Sequence, residues 1–299
     1  MFLLPKQQLD RCNRVMQQRV KPYIHSVVSH CNLRAYDIPG EPIPADSFIK
    51  QVKSGLIDFT PFNVPGVWGT TWGTTWFEIS GSIDLSKVKG RKVELNVDLG
   101  WLSSRGPGFQ SEGLVYRADG TAIKTANPRN SWIPLIDSDG TSNIDLDDDG
   151  NFILYMEAAS NPYVEGPTPF SPTDLGECAT GNTECQYMLK YVDVTVFNRN
   201  IFDYYMDLET VSSLMRELND DNPRYWKLAK ALQRSLNAYD EHDSSTVQNA
   251  RNMLSNVLSQ PAAASSLRHI AVGHAHIDSA CCGLCARRTG KLHAQYLTF

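Results

Sequence analysis

The sequence lacks a basic excess, a long apolar run and any internal repeat. Lys and Arg number 28 against 33 Asp and Glu, giving a formal net charge of -5. No basic footprint points to nucleic acid as a partner. No stretch stays apolar long enough to span a bilayer, so no membrane partner is expected. The opening Met1-Phe2-Leu3-Leu4 has no basic residue before it and is broken by Pro5 and Lys6. That is too short for a secretory signal, and the expected location is cytoplasmic. Cysteine is scarce and odd in number, seven in 299 residues. Without a signal, this argues against a disulfide framework and predicts free thiols. What is present is ordinary folding material. The chain is 41% hydrophobic and 20% charged, enough for a sizeable core and about two domains.

The texture changes along the chain, and the predicted fold class is multidomain α+β. Residues 1–65 read as an N-terminal helical arm and a Pro-rich linker. Leu9, Val15, Val20, Ile24, Val27 and Val28 recur at loosely helical spacing over residues 6–37. Pro22 interrupts them, so one helix or two short ones fit equally. Pro39, Pro42, Pro44, Pro61 and Pro65 mark the linker. Residues 66–198 read as an antiparallel β-sandwich, with strands at 75–79, 93–99, 113–116, 152–159 and 187–197. Val93, Leu95, Val97 and Leu99 alternate cleanly onto one face. Residues 199–265 read as a three-helix spacer. Asn222-Pro223 opens the second helix, Ser244 or Ser245 caps the third, and Pro261 ends it. Residues 266–280 then form a strand that starts apolar, at Ile270 and Val272, and ends in chemistry.

That chemistry is His274-Ala275-His276-Ile277-Asp278. Strand side chains alternate, so 274, 276 and 278 share a face. Two imidazoles and a carboxylate suit a divalent metal, or they are simply a polar strand end. Asp145-Leu146-Asp147-Asp148-Asp149-Gly150 opens like a calcium loop, but its twelfth position is Met156 rather than the required Glu. An acidic hairpin turn is the better reading. Trp68, Trp72 and Trp76 recur every fourth residue. They could stack sugars, but aromatics of this size more commonly fill a core or interface. Glu112 and Glu157 could pair as carboxylates, although spacing alone does not bring them together. Cys178 and Cys185 flank a Gly/Thr/Asn-rich loop and read as free thiols rather than a disulfide. Cys281, Cys282 and Cys285 form a terminal C-C-x-x-C, a metal or redox pattern at first sight.

The segment A-V-G-H-A-H-I-D-S-A resembles the opening of the catalytic domain of glycoside hydrolase family 38, the α-mannosidases, in their cytosolic and vacuolar branch. T-T-W-F-E-I, E-G-L-V-Y-R-A-D-G and Y-M-E-A-A-S-N agree with it, so the likeness spans about residues 1–280. The resemblance implies hydrolysis of terminal α-linked mannose in oligosaccharides and glycans, by a retaining, metal-dependent mechanism. His276 and Asp278 match the first two ligands of a zinc or cobalt ion, and His274 matches no ligand. The family's nucleophilic Asp and acid/base fall beyond this chain. No catalytic residue is therefore assigned, the metal site is incomplete, and the chain is expected to be inactive alone. Residues 266–280 become the first strand of an incomplete α/β barrel. A vacuolar location and a homo-oligomer formed through the N-terminal region are the further expectations. A stand-alone carbohydrate-binding or assembly module is the alternative function. A metal-dependent amidohydrolase fits less well, because those barrels place H-x-H early.

The likeness stops at Cys281. Written as TGG CTG TGG CCT GTG CGC GAG, the family-like W-L-W-P-V-R-E loses its third base to give TGC TGT GGC CTG TGC GCG AG. That reads C-C-G-L-C-A-R, residues 281–287 as they stand. Residues 281–299 are accordingly expected to be a frameshift product, which removes the metal or redox meaning of C-C-x-x-C. Sequencing genomic DNA and transcript after the Ala280 codon tests this. W-L-W-P-x-R-E-T continuing in frame would make the chain a mis-called fragment of a full α-mannosidase. The same shortened frame in both would instead make the chain a truncated, inactive remnant or a binding module.

Overall fold

The computed structural model describes residues 5–102, 106, 110–161, 184–261 and 270–273. In chain order the elements are α1 (Pro5–Val15), β1 (His25–His30), β2 (Asn32–Asp37), α2 (Ala45–Lys53), β3 (Thr60–Phe62), β4 (Gly66–Trp68) and β5 (Thr74–Ser82). Then come α3 (Leu85–Val88), β6 (Val93–Asp98), β7 (Glu112–Arg117), β8 (Ala122–Ala126), β9 (Trp132–Ile136) and β10 (Asn151–Ala159). The last are β11 (Tyr187–Leu189), β12 (Tyr191–Phe197), α4 (Arg199–Glu217), α5 (Pro223–Ala238) and α6 (Thr246–Leu258). Two compact units result, one drawn from the described residues of 1–26 and 197–272, the other from those of 27–196. Their limits fall at 26/27 and 196/197, where the sequence reading drew boundaries at 65/66 and 198/199.

The β unit is a sandwich. One sheet has six strands in the order β3-β2-β5-β10-β7-β8, and the other has four, β1-β12-β6-β9. Every neighbouring pair in the six-stranded sheet is antiparallel. A small ribbon joins β4 to β11. Between the sheets lies the main core, to which β5 gives Phe77 and Ile79, β6 gives Val93, Leu95 and Val97, and β12 gives Val192, Val194 and Val196. The six-stranded sheet carries a second apolar layer on its other face. There Trp76, Leu114, Tyr116 and Tyr155 pack with Phe48 and Ile49 of α2. Trp76 is fully buried, stacked on Phe48 at 4.1 Å and on Tyr116 at 5.4 Å between ring centroids.

Local chemistry explains α2. Pro44 precedes it, Asp46 lies in its first turn, and Lys50 and Lys53 lie in its last, matching the helix dipole. At its end Leu56 N donates to Gln51 O and Gly55 N to Val52 O, both at 3.0 Å. Gly55 has φ +74°, so the helix closes in the left-handed glycine cap that leaves few last-turn carbonyls unpaired.

Two parts of the sequence reading are corrected here. Residues 25–37 are two strands, not helix. The helical period ends at Val20, the last buried apolar residue of that stretch before the backbone tightens through Lys21–Tyr23. Val27 and Val28 are 51% and 44% exposed, so they never formed a helical stripe, and β-branched residues favour strand. The prolines of 38–65 bound elements rather than prevent them. Pro44 precedes α2, and Pro61 sits in β3 at the sheet's edge, where a missing N–H is tolerated.

In the helical unit α4, α5 and α6 pack with α1 around Cys12, Met16, Leu208, Met215, Leu232 and Leu254. Asn222 caps α5, accepting from Arg224 N at 2.9 Å with Pro223 next in the chain. Neither Ser244 nor Ser245 caps α6 by its side chain. Asp243 organises that turn instead, accepting from Ser245 N at 3.0 Å while its own backbone oxygen accepts from the Thr246 hydroxyl at 2.7 Å. Arg19 Nε bonds Glu241 at 2.7 Å, which holds that carboxyl down to about 2. Most of 266–280 lies outside the described residues, and its described part, 270–273, has no regular structure. Among the described residues no helix is long and apolar enough to cross a membrane.

Candidate functional site

One end of the sandwich carries far more buried polar chemistry than strand pairing requires. It is the end where β5 starts, β10 finishes and β7 starts, since Ala159 lies opposite both Thr74 and Glu112. β12 starts there too, with Tyr191 opposite Asp98 at the end of β6. The β4–β5 turn is strained. Trp72 has φ 62°, the one positive φ outside glycine among the described residues, a cost of order 1–3 kcal/mol. Two bonds hold it: Trp72 N donates to Ser160 O and Ser160 N donates to Gly73 O, each at 3.0 Å. A Cβ on Gly69, itself at φ +76°, would stand 2.7 Å from the Ser160 side chain. Only glycine lets the two segments meet.

A chain of side-chain bonds then fixes the neighbouring loops. The Tyr187 hydroxyl donates to Asn161 O at 2.6 Å, and Asn161 Nδ2 donates to Gln110 O at 2.8 Å. Gln110, fully buried, accepts from Leu102 N at 2.7 Å and donates back to Leu102 O at 3.3 Å. Asp98 Oδ1 accepts from Gly100 N at 2.8 Å and Trp101 N at 3.0 Å, and Lys190 Nζ reaches Asp98 Oδ2 at 3.1 Å. Trp68 Nε1 donates to Leu99 O at 3.0 Å, and Trp101 Nε1 donates to Ser111 O at 2.7 Å. Against this frame lies a cavity of about 330 Å³ lined by Gly100, Leu102, Gln186 and Tyr187. Loops fixed on a rigid scaffold are the usual seat of binding.

The sequence-derived candidates fare differently. His274, His276 and Asp278 lie outside the described residues, as do Cys178, Cys281, Cys282 and Cys285. Among the described residues no group of three His, Cys, Asp or Glu is placed to hold a metal. The acidic segment is a hairpin turn: Asp147 Oδ1 accepts from Asp149 N at 3.0 Å and Asn151 N at 2.8 Å, and Gly150 takes φ +77°. That leaves no open calcium loop.

Trp68, Trp72 and Trp76 are 3%, 8% and 0% exposed, which rules them out as a sugar-stacking surface. Their regular spacing does not place them together, because Trp72 sits in the turn and Trp68 and Trp76 enter different cores. Glu112 and Glu157 do share the outer face of the six-stranded sheet, on adjacent strands and diagonally placed, since Ala159 faces Glu112 and Glu157 faces Leu114. Tyr116 donates to Glu157 at 3.1 Å, and burial first, then that carboxylate, raises the phenol's pKa.

Cys12, Cys31 and Cys185 are free thiols. Burial pushes the first two up to about 12, and burial followed by Asp37 raises the third. None is an activated nucleophile. Sequence reasoning missed Gln110, Asn161 and Tyr187. Gln110 and Asn161 are neutral residues in loops and Tyr187 reads simply as a strand residue, so none carries a signal of this role, although Asn161 ends the quoted Y-M-E-A-A-S-N.

A jelly-roll sandwich with an organised loop end is the class this geometry defines. The family described as "Alpha-mannosidase, jelly roll domain" matches residues 29–232, and the chain belongs to that family. Human α-mannosidase 2C1 is 26% identical over 225 residues, 75% of this chain and 19% of that protein. Mouse α-mannosidase 2C1 is 23% identical over 280 residues, 89% of this chain and 24% of that protein. The chain thus spans 19–24% of the length of these relatives. Among solved structures, Bifidobacterium dentium β-glucuronidase overlaps 58% of this chain and 30% of its own, with a TM-score of 0.31 at 12% identity. That likeness is too low to bear on this chain.

Gln110→Ala removes the amide that holds the Leu102 backbone. Leaving those groups unpaired should cost about 1–3 kcal/mol locally. Hydrogen exchange at the Leu102 amide should speed up about tenfold or more. An unchanged exchange rate would show that the loop is held by other means.

Proposed function

We propose that this chain supplies the jelly-roll-bearing part of an α-mannosidase, an enzyme that releases terminal α-linked mannose from oligosaccharides and glycans. The family match over residues 29–232 carries this reading. The apolar pair Ile270 and Val272 supports it. Their period of two is that of a strand, and they are 91% and 81% exposed. Residues 270–273 have no regular structure within this chain, and an exposed apolar pair at strand spacing would fit a sheet completed by further polypeptide. His276 and Asp278 enter the proposal from their spacing and the family resemblance, as two ligands of a zinc or cobalt ion. When bound, such an ion would engage the sugar's hydroxyls. The stand-alone sugar-binding module finds no comparable support, because its three indoles are buried.

Grafted in place of the matching segment of human α-mannosidase 2C1, residues 29–232 should sustain hydrolysis of p-nitrophenyl α-mannoside. The 299-residue chain alone should show no turnover, with or without zinc or cobalt. A folded but inactive graft would contradict the reading. So would turnover by the chain alone at an ordinary enzymatic rate of about 10 s⁻¹.

A further inference from the structure

The organised end of the sandwich presents an apolar lip to solvent. Val67 of β4 and Met188 of β11 lie directly opposite each other in the two-stranded ribbon. They are 61% and 50% exposed, and Leu102 beside them is 41% exposed. Trp68, Tyr187 and Leu189, the inward residues of the same ribbon, are buried, so among the described residues the ribbon is anchored on one side and exposed on the other. The neighbouring cavity is floored by Gly100 at φ +100°, where a Cβ would fall 2.7 Å from the Met188 backbone.

The polar groups of this end are committed inward. Trp68 Nε1, Trp101 Nε1 and the Tyr187 hydroxyl all donate to backbone oxygens, and Gln186 Nε2 donates to the Thr71 hydroxyl. The surface therefore offers little hydrogen bonding and several apolar side chains around a preformed hollow. That is the make-up of a docking centre rather than of a solvated loop. Hydrogen bonds and glycine contacts hold the backbone beneath it, so little ordering cost remains on binding.

We infer that Val67, Met188 and Leu102 dock against an apolar surface of the α-mannosidase's own catalytic part, one side chain of which enters the hollow lined by Gly100 and Tyr187. This rests on the proposed function. The occupant follows from length: about four-fifths of human α-mannosidase 2C1 lies outside the segment matched here. A covalently attached domain reaches such a patch at a high effective concentration.

The test uses the active graft in human α-mannosidase 2C1 and the 299-residue chain, each with Met188→Glu and, separately, Val67→Asp. In the graft either change should lower the melting temperature and shorten the half-life of activity on heating about tenfold. In the 299-residue chain both should leave melting unchanged, because the side chains are exposed there. Variants of the graft that melt like the parent would overturn the inference. Equal destabilisation of graft and isolated chain would overturn it too, by showing that the residues act within the sandwich. A 299-residue chain that sediments as a dimer, and as a monomer once Met188→Glu is introduced, would assign the patch to a second copy instead. A folded graft that lacks activity before any substitution counts against the proposed function. Failure of the variants alone counts only against the docking surface.

Discussion

Burial of one sheet on both of its faces is the constraint from which the rest of the β unit follows. In β5 Phe77 and Ile79 point between the sheets while Trp76, one residue away, points into the layer built by α2. A strand with one wet face would carry a polar residue at position 76. Here each β5 residue from 74 to 77 is buried. Register is therefore specified twice over, since a slip by one residue would exchange an indole for a phenyl ring in both layers at once. The same demand explains α2. Phe48 and Ile49, with Ile38 and Phe59, cover the outer aromatic layer of Trp76, Tyr116 and Tyr155.

A sheet held that firmly can support an end that is locally unfavourable. Trp72 keeps a left-handed backbone, and Gln110, Ser111, Ser160 and Asn161 are all buried. Buried polar groups of this kind are tolerated where they are bonded, and the run Tyr187–Asn161–Gln110–Leu102 meets that demand through successive donors and acceptors. The result is a rigid rim that directs its polar atoms inward.

How much of this is legible in the sequence depends on the signal each element carries. β6 and β12 are visible because their apolar residues alternate, and β10 because Phe152–Met156 is a continuous apolar run, as suits a strand buried on both faces. β1 shows no such alternation, since it is an edge strand with Val27 and Val28 both exposed. α2 is hidden among prolines, of which Pro44 in fact marks its start, while Gly55 closes its end. The three helices of 199–258 are plain from their period, but the cap of α6 is not, because Asp243, just ahead of the two serines, organises the turn. At the candidate site, Trp68, Trp72 and Trp76 advertise a common face that the turn at Trp72 abolishes. Gln110 and Tyr187 advertise nothing, since their role exists only once residues distant in sequence are brought together. The strongest motif in the sequence, His276 with Asp278, lies outside the described residues and remains a matter of spacing.

The two-faced sheet is tested most directly by Trp76→Ala, followed by chemical denaturation and by amide exchange in β5, β7 and β10. Loss of a fully buried indole should cost about 3–5 kcal/mol, with faster exchange in all three strands and in α2. A cost below about 1 kcal/mol, with exchange in α2 unchanged, would be the result for an exposed face. That outcome would contradict the account.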